Sequence, residues 1–208
     1  SREIEIGYAR VRASRITYVG ELGFELYLPA EHALDVYERL LEAGPAYGMR
    51  LAGYHAMAAC RVEKGYRHWS HDIGDEDTPL EAGLGFTVAW DKPGGFTGRE
   101  ALLAQRARGT PARRLVQVML EDSSASAPLL YHEEPIVRDG VIVGSTRSGA
   151  WGHRIGRSIG MGYVNCDAGV TPAWLAAGRW QLEVAGERHA ARVQLDAWYD
   201  PKNLRVKS

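Results

Sequence analysis

Arg106-Ala107-Arg108-Gly109-Thr110-Pro111-Ala112-Arg113-Arg114 is the stretch on which the fold turns. It is basic, its glycine and proline break periodic structure, and the hydrophobic pattern differs on its two sides. Downstream, nearly everything reads as strand: residues 115–120, then 136–137 and 141–146 joined by an Asp139-Gly140 turn, then 159–164, 180–184 and 191–195. Short strands between glycine-rich turns predict a small barrel or sandwich. Upstream, strands and helices mix. Residues 11–19 alternate and predict a strand that pairs as a hairpin with another at 24–28, with Gly20 and Gly23 in the turn. Ala33, Leu34, Tyr37, Leu40 and Leu41 recur at helical spacing until Gly44-Pro45, and a second helix runs from near Gly53 to Gly65. Residues 84–90 predict a strand, and 99–108 a short amphipathic helix. The chain therefore divides near residue 110, into an α+β part over 1–110 and a small all-β, barrel-like part over 111–208.

Composition narrows the function. Lysine plus arginine number 25 and aspartate plus glutamate 26, so no broad positive field exists to hold a phosphate backbone, and nucleic acid is not the expected partner. No apolar run approaches the ~20 residues of a membrane span. Residues 1–10 lack the apolar core of a signal peptide, and a cytoplasmic location is the expectation. Cys60 and Cys166 stand in unrelated contexts, too few for a disulfide framework or a cysteine-based zinc site.

Several motifs could carry chemistry. In Tyr18-Val19-Gly20-Glu21-Leu22-Gly23-Phe24-Glu25-Leu26-Tyr27, glycines permit close backbone approach and acids flank aromatics. A carboxylate accepts two parallel hydrogen bonds from an amino group and a ring N–H while a tyrosine covers the heterocycle's face, an arrangement that suits a pterin or guanine. A twisted hairpin with solvated acids is the plainer alternative. The polar loop 66–79 holds His68-Trp69-Ser70-His71-Asp72. Two histidines without a third well-spaced ligand do not predict a metal, and the expectation is local hydrogen bonding, with Trp69 as anchor and His71 or Asp72 near a ligand or domain boundary. Asp72, Asp75 and Asp77 lack the glycine and glutamate placement of a calcium loop. Gly83-Leu84-Gly85 does not link a strand to a helix as a dinucleotide fingerprint does. The loop 148–158, with three bases and Trp151, is either a β-β connection with solvated arginines or a basic lip over an anionic cofactor tail.

Read together, these segments resemble the aminomethyltransferase family, the glycine-cleavage T-protein group, and especially the folate-binding region of dimethylglycine and sarcosine dehydrogenases. The resemblance is carried by residues 18–25, by Arg61-Val62-Glu63-Lys64-Gly65-Tyr66-Arg67-His68-Trp69, by Pro79-Leu80-Glu81-Ala82-Gly83-Leu84-Gly85, by residues 96–102, and by Gly156-Arg157-Ser158-Ile159-Gly160-Met161-Gly162-Tyr163-Val164. It implies a partial folate-binding α+β domain followed by the barrel-like domain. The implied cofactor is tetrahydrofolate, held by Tyr18 and Glu25 at the pterin and by Arg205 at the glutamyl tail, with Glu21 left a turn or supporting role. Where T-proteins often carry a pterin-side arginine this chain has Met57, and Arg61 lies one helical turn away.

The resemblance further implies a domain's worth of chain upstream, with the aspartate that assists one-carbon transfer, and, in the dehydrogenase branch, an FAD domain beyond it. These residues are thus expected to be a C-terminal portion that assigns no catalytic residue and no metal ligand to itself. The implied reaction oxidises a methylated glycine and passes the carbon to tetrahydrofolate. Four alternatives stay open: a free-standing T-protein-like aminomethyltransferase; a demethylase using the same cleft; the RNA-linked folate branch, whose Lys-Gly-Cys segment is replaced here by Lys64-Gly65-Tyr66; and a non-catalytic binding or assembly module.

Overall fold

The computed structural model describes residues 1–207. The chain opens with a three-stranded antiparallel sheet in the order β1 (Arg2–Ile6), β2 (Ala9–Ser14), β3 (Glu25–Tyr27). β1 and β2 turn back on each other around Gly7, which sits at φ 59°. β1 is exposed along most of its length, so the charged alternation of residues 1–10 carries too little buried surface to declare it. The hairpin expected from residues 11–19 and 24–28 is present in shortened form, with Arg12 opposite Tyr27 and Ser14 opposite Glu25. β2 stops at Ser14. Beyond it the Thr17 hydroxyl accepts the N–H groups of Val19 (3.2 Å) and Gly20 (3.1 Å), a side-chain turn that withdraws those donors from any ladder.

Helix α1 (Ala33–Ala43) lays Val36 against Ala9 and Val11, the small core under the sheet. Helix α2 (Tyr54–Glu63) follows Gly53 and ends before Gly65, whose φ of 70° closes the helix. Residues 84–90 are not a strand. Leu84 donates to the Pro79 carbonyl (2.7 Å), Thr87 to Leu84 (2.9 Å) and the Trp90 indole to Gly85 (3.3 Å), and a short 3-10 turn spans Gly85–Thr87. Local turns thus use the backbone groups that sheet pairing needs. Helix α3 (Arg99–Ala107) then leads to the second part.

That part is a closed six-stranded barrel formed by β4 (Arg113–Leu120), β5 (Pro135–Arg138), β6 (Val141–Gly152), β7 (Arg157–Asn165), β8 (Trp180–Val184) and β9 (Glu187–Gln194), in the order β4-β7-β6-β5-β8-β9. Closure resolves the barrel-or-sandwich choice and removes the sheet edges. β6 runs past the expected Thr146 to Gly152, bending at a bulge between Thr146 and Ser148. A short helix α4 (Pro172–Ala177), which the strand pattern did not announce, starts from Thr171, whose hydroxyl accepts the Trp174 N–H at 3.0 Å. The described residues end in one helical turn, α5 (Leu204–Lys207).

β4 buries both faces by its period of two. Val116, Val118 and Leu120 join Ile136, Val164 and Leu182 in the barrel core, while Leu115 and Met119 join Ile159, Met161, Tyr163 and Val62 of α2. The second cluster fastens the α+β part to the barrel. Burial of each such side chain contributes about 1.5–3 kcal/mol. The glycine at position 162 is a packing requirement, because a Cβ there would lie 2.2 Å from the Ser145 carbonyl oxygen and 2.7 Å from the Thr146 Cα on the paired strand.

Candidate functional site

Tyr18 lies within the connection between β2 and β3, and Glu25 opens the strand that follows it. The half-buried Tyr18 hydroxyl donates to the Arg67 carbonyl at 3.2 Å, and its ring lies nearly parallel to Tyr66, centroids 6.4 Å apart. Burial raises the Tyr18 phenol above its ordinary value, with the Arg61 charge working the other way, so it remains a neutral donor. Glu25 is the first residue of β3; its carboxylate is exposed and accepts the Tyr27 hydroxyl. Arg12 lies over the Tyr27 ring at 5.0 Å. Arg205 rides on α5 and donates its backbone N–H to Asp200 (3.1 Å). The connection and α5 face each other across a cavity of about 300 Å³ lined by Arg15, Thr17, Glu21, Val206 and Lys207 among others. The segments that carry the three expected residues therefore meet, although Tyr18, Glu25 and Arg205 do not themselves line that cavity.

Two consecutive residues at the end of α2 hold both segments. Glu63, 1% exposed, accepts the Arg154 backbone N–H (2.7 Å) and its Nε–H (2.5 Å). Arg154, in the turn between β6 and β7, then donates to Glu21 (2.6 Å) and to the Val19 carbonyl (3.0 Å), next to Tyr18, and stacks on Tyr199 at 4.1 Å. The Tyr199 hydroxyl closes the ring on Glu21 at 2.7 Å. Burial opposes the Arg154 charge, but Tyr199 and Glu63 outweigh it and raise the guanidinium above its ordinary value. Lys64, 4% exposed, reaches the Asp200 carboxylate at 3.1 Å and also its carbonyl. Asp200 in turn accepts the N–H groups of Leu204 (2.7 Å) and Arg205 at the start of α5. Burial works against the Asp200 charge, yet those N–H groups and Lys64 hold its carboxyl below the ordinary range.

Residues 148–158 are thus the end of β6, a turn and the start of β7, and Arg154 in that turn is paired with two acids and is not a lip over an anion. Glu21 supports the turn through Arg154 and Tyr199. Glu63, Lys64, Tyr199 and Asp200 are the functional candidates that sequence reasoning missed.

The 66–79 loop is anchored differently from expectation. Trp69 is 64% exposed; the anchors are Arg67, which donates to the Gly65 (2.5 Å) and Ala82 (2.8 and 3.1 Å) carbonyls, and Asp72. Asp72 is fully buried, pairs with Arg61 and accepts the His68 N–H at 2.7 Å. Arg61 continues to the Ser148 hydroxyl of β6 at 2.7 Å, so Asp72 does stand at the boundary between the two parts. Among the described residues no group of three histidine, cysteine, aspartate or glutamate side chains is placed to hold a metal, and no helix is long and apolar enough to cross a membrane.

An α+β part whose second helix is bolted to a closed six-stranded barrel, with a glutamate-bearing hairpin and a C-terminal turn tied to one helix end, defines the class of two-part T-protein-like folds. Comparison gives the family. The GCVT N-terminal domain model matches residues 1–92 and the glycine cleavage T-protein C-terminal barrel domain model matches residues 113–200, and the chain belongs to the glycine-cleavage T-protein family. It is 41% identical over 206 residues to the 4-methylaminobutanoate oxidase (formaldehyde-forming) of Paenarthrobacter nicotinovorans, covering 99% of this chain and 24% of that protein. It is also 41% identical over 199 residues to the mitochondrial sarcosine dehydrogenase of Homo sapiens, covering 95% of this chain and 21% of that protein. The chain thus spans about a quarter of the length of these curated relatives. The glycine cleavage system aminomethyltransferase T of Bartonella henselae superposes with a TM-score of 0.77 at 25% identity, covering 94% of this chain and 51% of that one.

Proposed function

We propose that this chain is the tetrahydrofolate-binding part of a flavin-linked enzyme that oxidises an N-methylated amino acid and passes the carbon to folate. The residues present fit the group. Glu25 has an exposed carboxylate steadied by Tyr27, able to accept a pair of hydrogen bonds from the amino-pyrimidine edge. Tyr18 offers an aromatic face backed by Tyr66, and Arg205 a cation for the glutamyl tail. Tetrahydrofolate, when bound, supplies the N5 and N10 nitrogens that accept the one-carbon unit. The work of this chain is orientation: holding the acceptor in one pose replaces a chance encounter with a directed one.

The observation that carries the reading is that Glu63 and Lys64, consecutive at the end of α2, fix through Arg154 and Asp200 the two segments bearing Tyr18 and Arg205. Such buried ionic ties are costly to build, and they rigidify a site more than they stabilise a fold. In this reading FAD is held by another part of the polypeptide, in keeping with the chain's spanning about a quarter of the length of its curated relatives. The two parts, 1–110 and 111–208, are the units of this reading. The donor class suggested by the relatives' names is an N-methylamino carboxylate.

The test is folate binding to the intact protein, followed by fluorescence, with and without Glu25→Gln. The reading expects weakened folate binding and unchanged flavin reduction by the donor. Unchanged folate affinity counts against it, as does transfer of carbon without folate; retained fold with no folate binding in the wild type marks a non-catalytic module.

A further inference from the structure

A second pocket, of about 240 Å³, opens where α2, the 66–79 loop and the barrel meet, and the established membership of the chain assigns it nothing. Its floor is Arg61, which is 93% buried: Nη1 is taken by Asp72 and, at 3.4 Å, by the Tyr66 carbonyl, and Nη2 by the Ser148 hydroxyl. That leaves the Nε–H and one of the two Nη2–H groups without a protein acceptor, charged donors of the kind a carboxylate accepts from. His55, His68, His71 and His132 stand around it, with Arg147 at the rim. His68 bonds Tyr54 through Nε2 at 3.2 Å, while its Nδ1 is buried with no partner at all. Arg61 and His68 both line the pocket, and their unmet hydrogen-bonding capacity calls for a partner there.

The charge fits an anion. No carboxylate lines the pocket. Asp72 lies behind Arg61 and is neutralised by it, and Glu133 reaches Arg147 only loosely, at 3.9 Å. The walls are flat and aromatic: Tyr54 and Tyr131 are exposed at the rim, and the Tyr131 and His132 rings lie 4.9 Å apart. We infer that this pocket binds a small organic carboxylate carrying a flat ring, its oxygens on the open donors of Arg61 and its ring between the rim aromatics. The inference does not depend on the folate reading, and its test contains no folate.

Isothermal titration calorimetry of the intact protein with benzoate, and with benzylamine as a cation of the same shape, reads it directly. Benzoate is expected to saturate a single site and benzylamine to give no binding. Arg147→Gln and His132→Ala both lie on exposed positions, outside the core, and each should weaken benzoate tenfold or more while the circular dichroism spectrum stays that of the wild type. Absence of saturable benzoate heat overturns the inference. So does equal affinity for benzylamine, or benzoate binding untouched by both substitutions.

Discussion

Removing Arg154 is the perturbation that separates a structural strut from a surface charge. In Arg154→Met the side-chain donors to Glu63, Glu21 and Val19 disappear together, and only the backbone N–H of residue 154 remains for Glu63. Glu63 is 1% exposed, so it becomes a buried carboxylate without its ion-pair partner. Truncating one member of a buried pair costs about 3–5 kcal/mol. The Arg154 side chain is 23% exposed and water can relieve part of that, so about 2–3 kcal/mol is expected, a large share of the ~5–15 kcal/mol that holds a domain together. Glu63→Gln alone should cost less, because an amide can still accept from Arg154, and the double variant should cost less than the two single losses added. Urea denaturation of the four proteins gives the coupling directly, expected at about 1–3 kcal/mol. A single loss below about 0.5 kcal/mol, or strict additivity in the cycle, refutes the view that Arg154 is held by Glu63 as a strut.

Other consequences follow from the same contacts. Asp200→Asn should loosen α5 while leaving the barrel intact, read as faster amide exchange at residues 204 and 205 with unchanged protection in β4 and β7. Because the Asp200 carboxyl is held below its ordinary value, its contribution is complete above about pH 5 and is lost as pH falls through the lowered value; acid titration of the wild type should therefore release α5, and Asp200→Asn should flatten that step. Gly162→Ala places a methyl group against the backbone of β6, where no side chain can move aside, and should cost about 1–3 kcal/mol or more by thermal or urea unfolding.

The barrel was readable because its strands obey a local rule. In β4, alternate residues serve two cores, and the glycines of β7 mark where β6 comes too close for a side chain. Residues 84–90 failed the same rule: their apolar spacing is strand-like, but the backbone groups are spent on turns with Pro79 and Leu84. The connections of the site were illegible for a different reason. Arg61, Glu63 and Lys64 look like the solvated face of a helix, and their partners lie far along the chain: Arg154 is 91 positions from Glu63, and Asp200 is 136 from Lys64. Nothing local says that these charges are buried. Only the docking of α2 on β6 and β7, with Val62 in the shared core, makes them struts instead of surface.

Glu25 is the side chain by which the proposal stands. Equilibrium binding of tetrahydrofolate to the intact protein, wild type against Glu25→Gln, measures it: the account predicts about tenfold or greater weakening with flavin reduction unaltered, as the loss of a charged acceptor from a paired hydrogen bond requires. Equal affinity in the two proteins would contradict it.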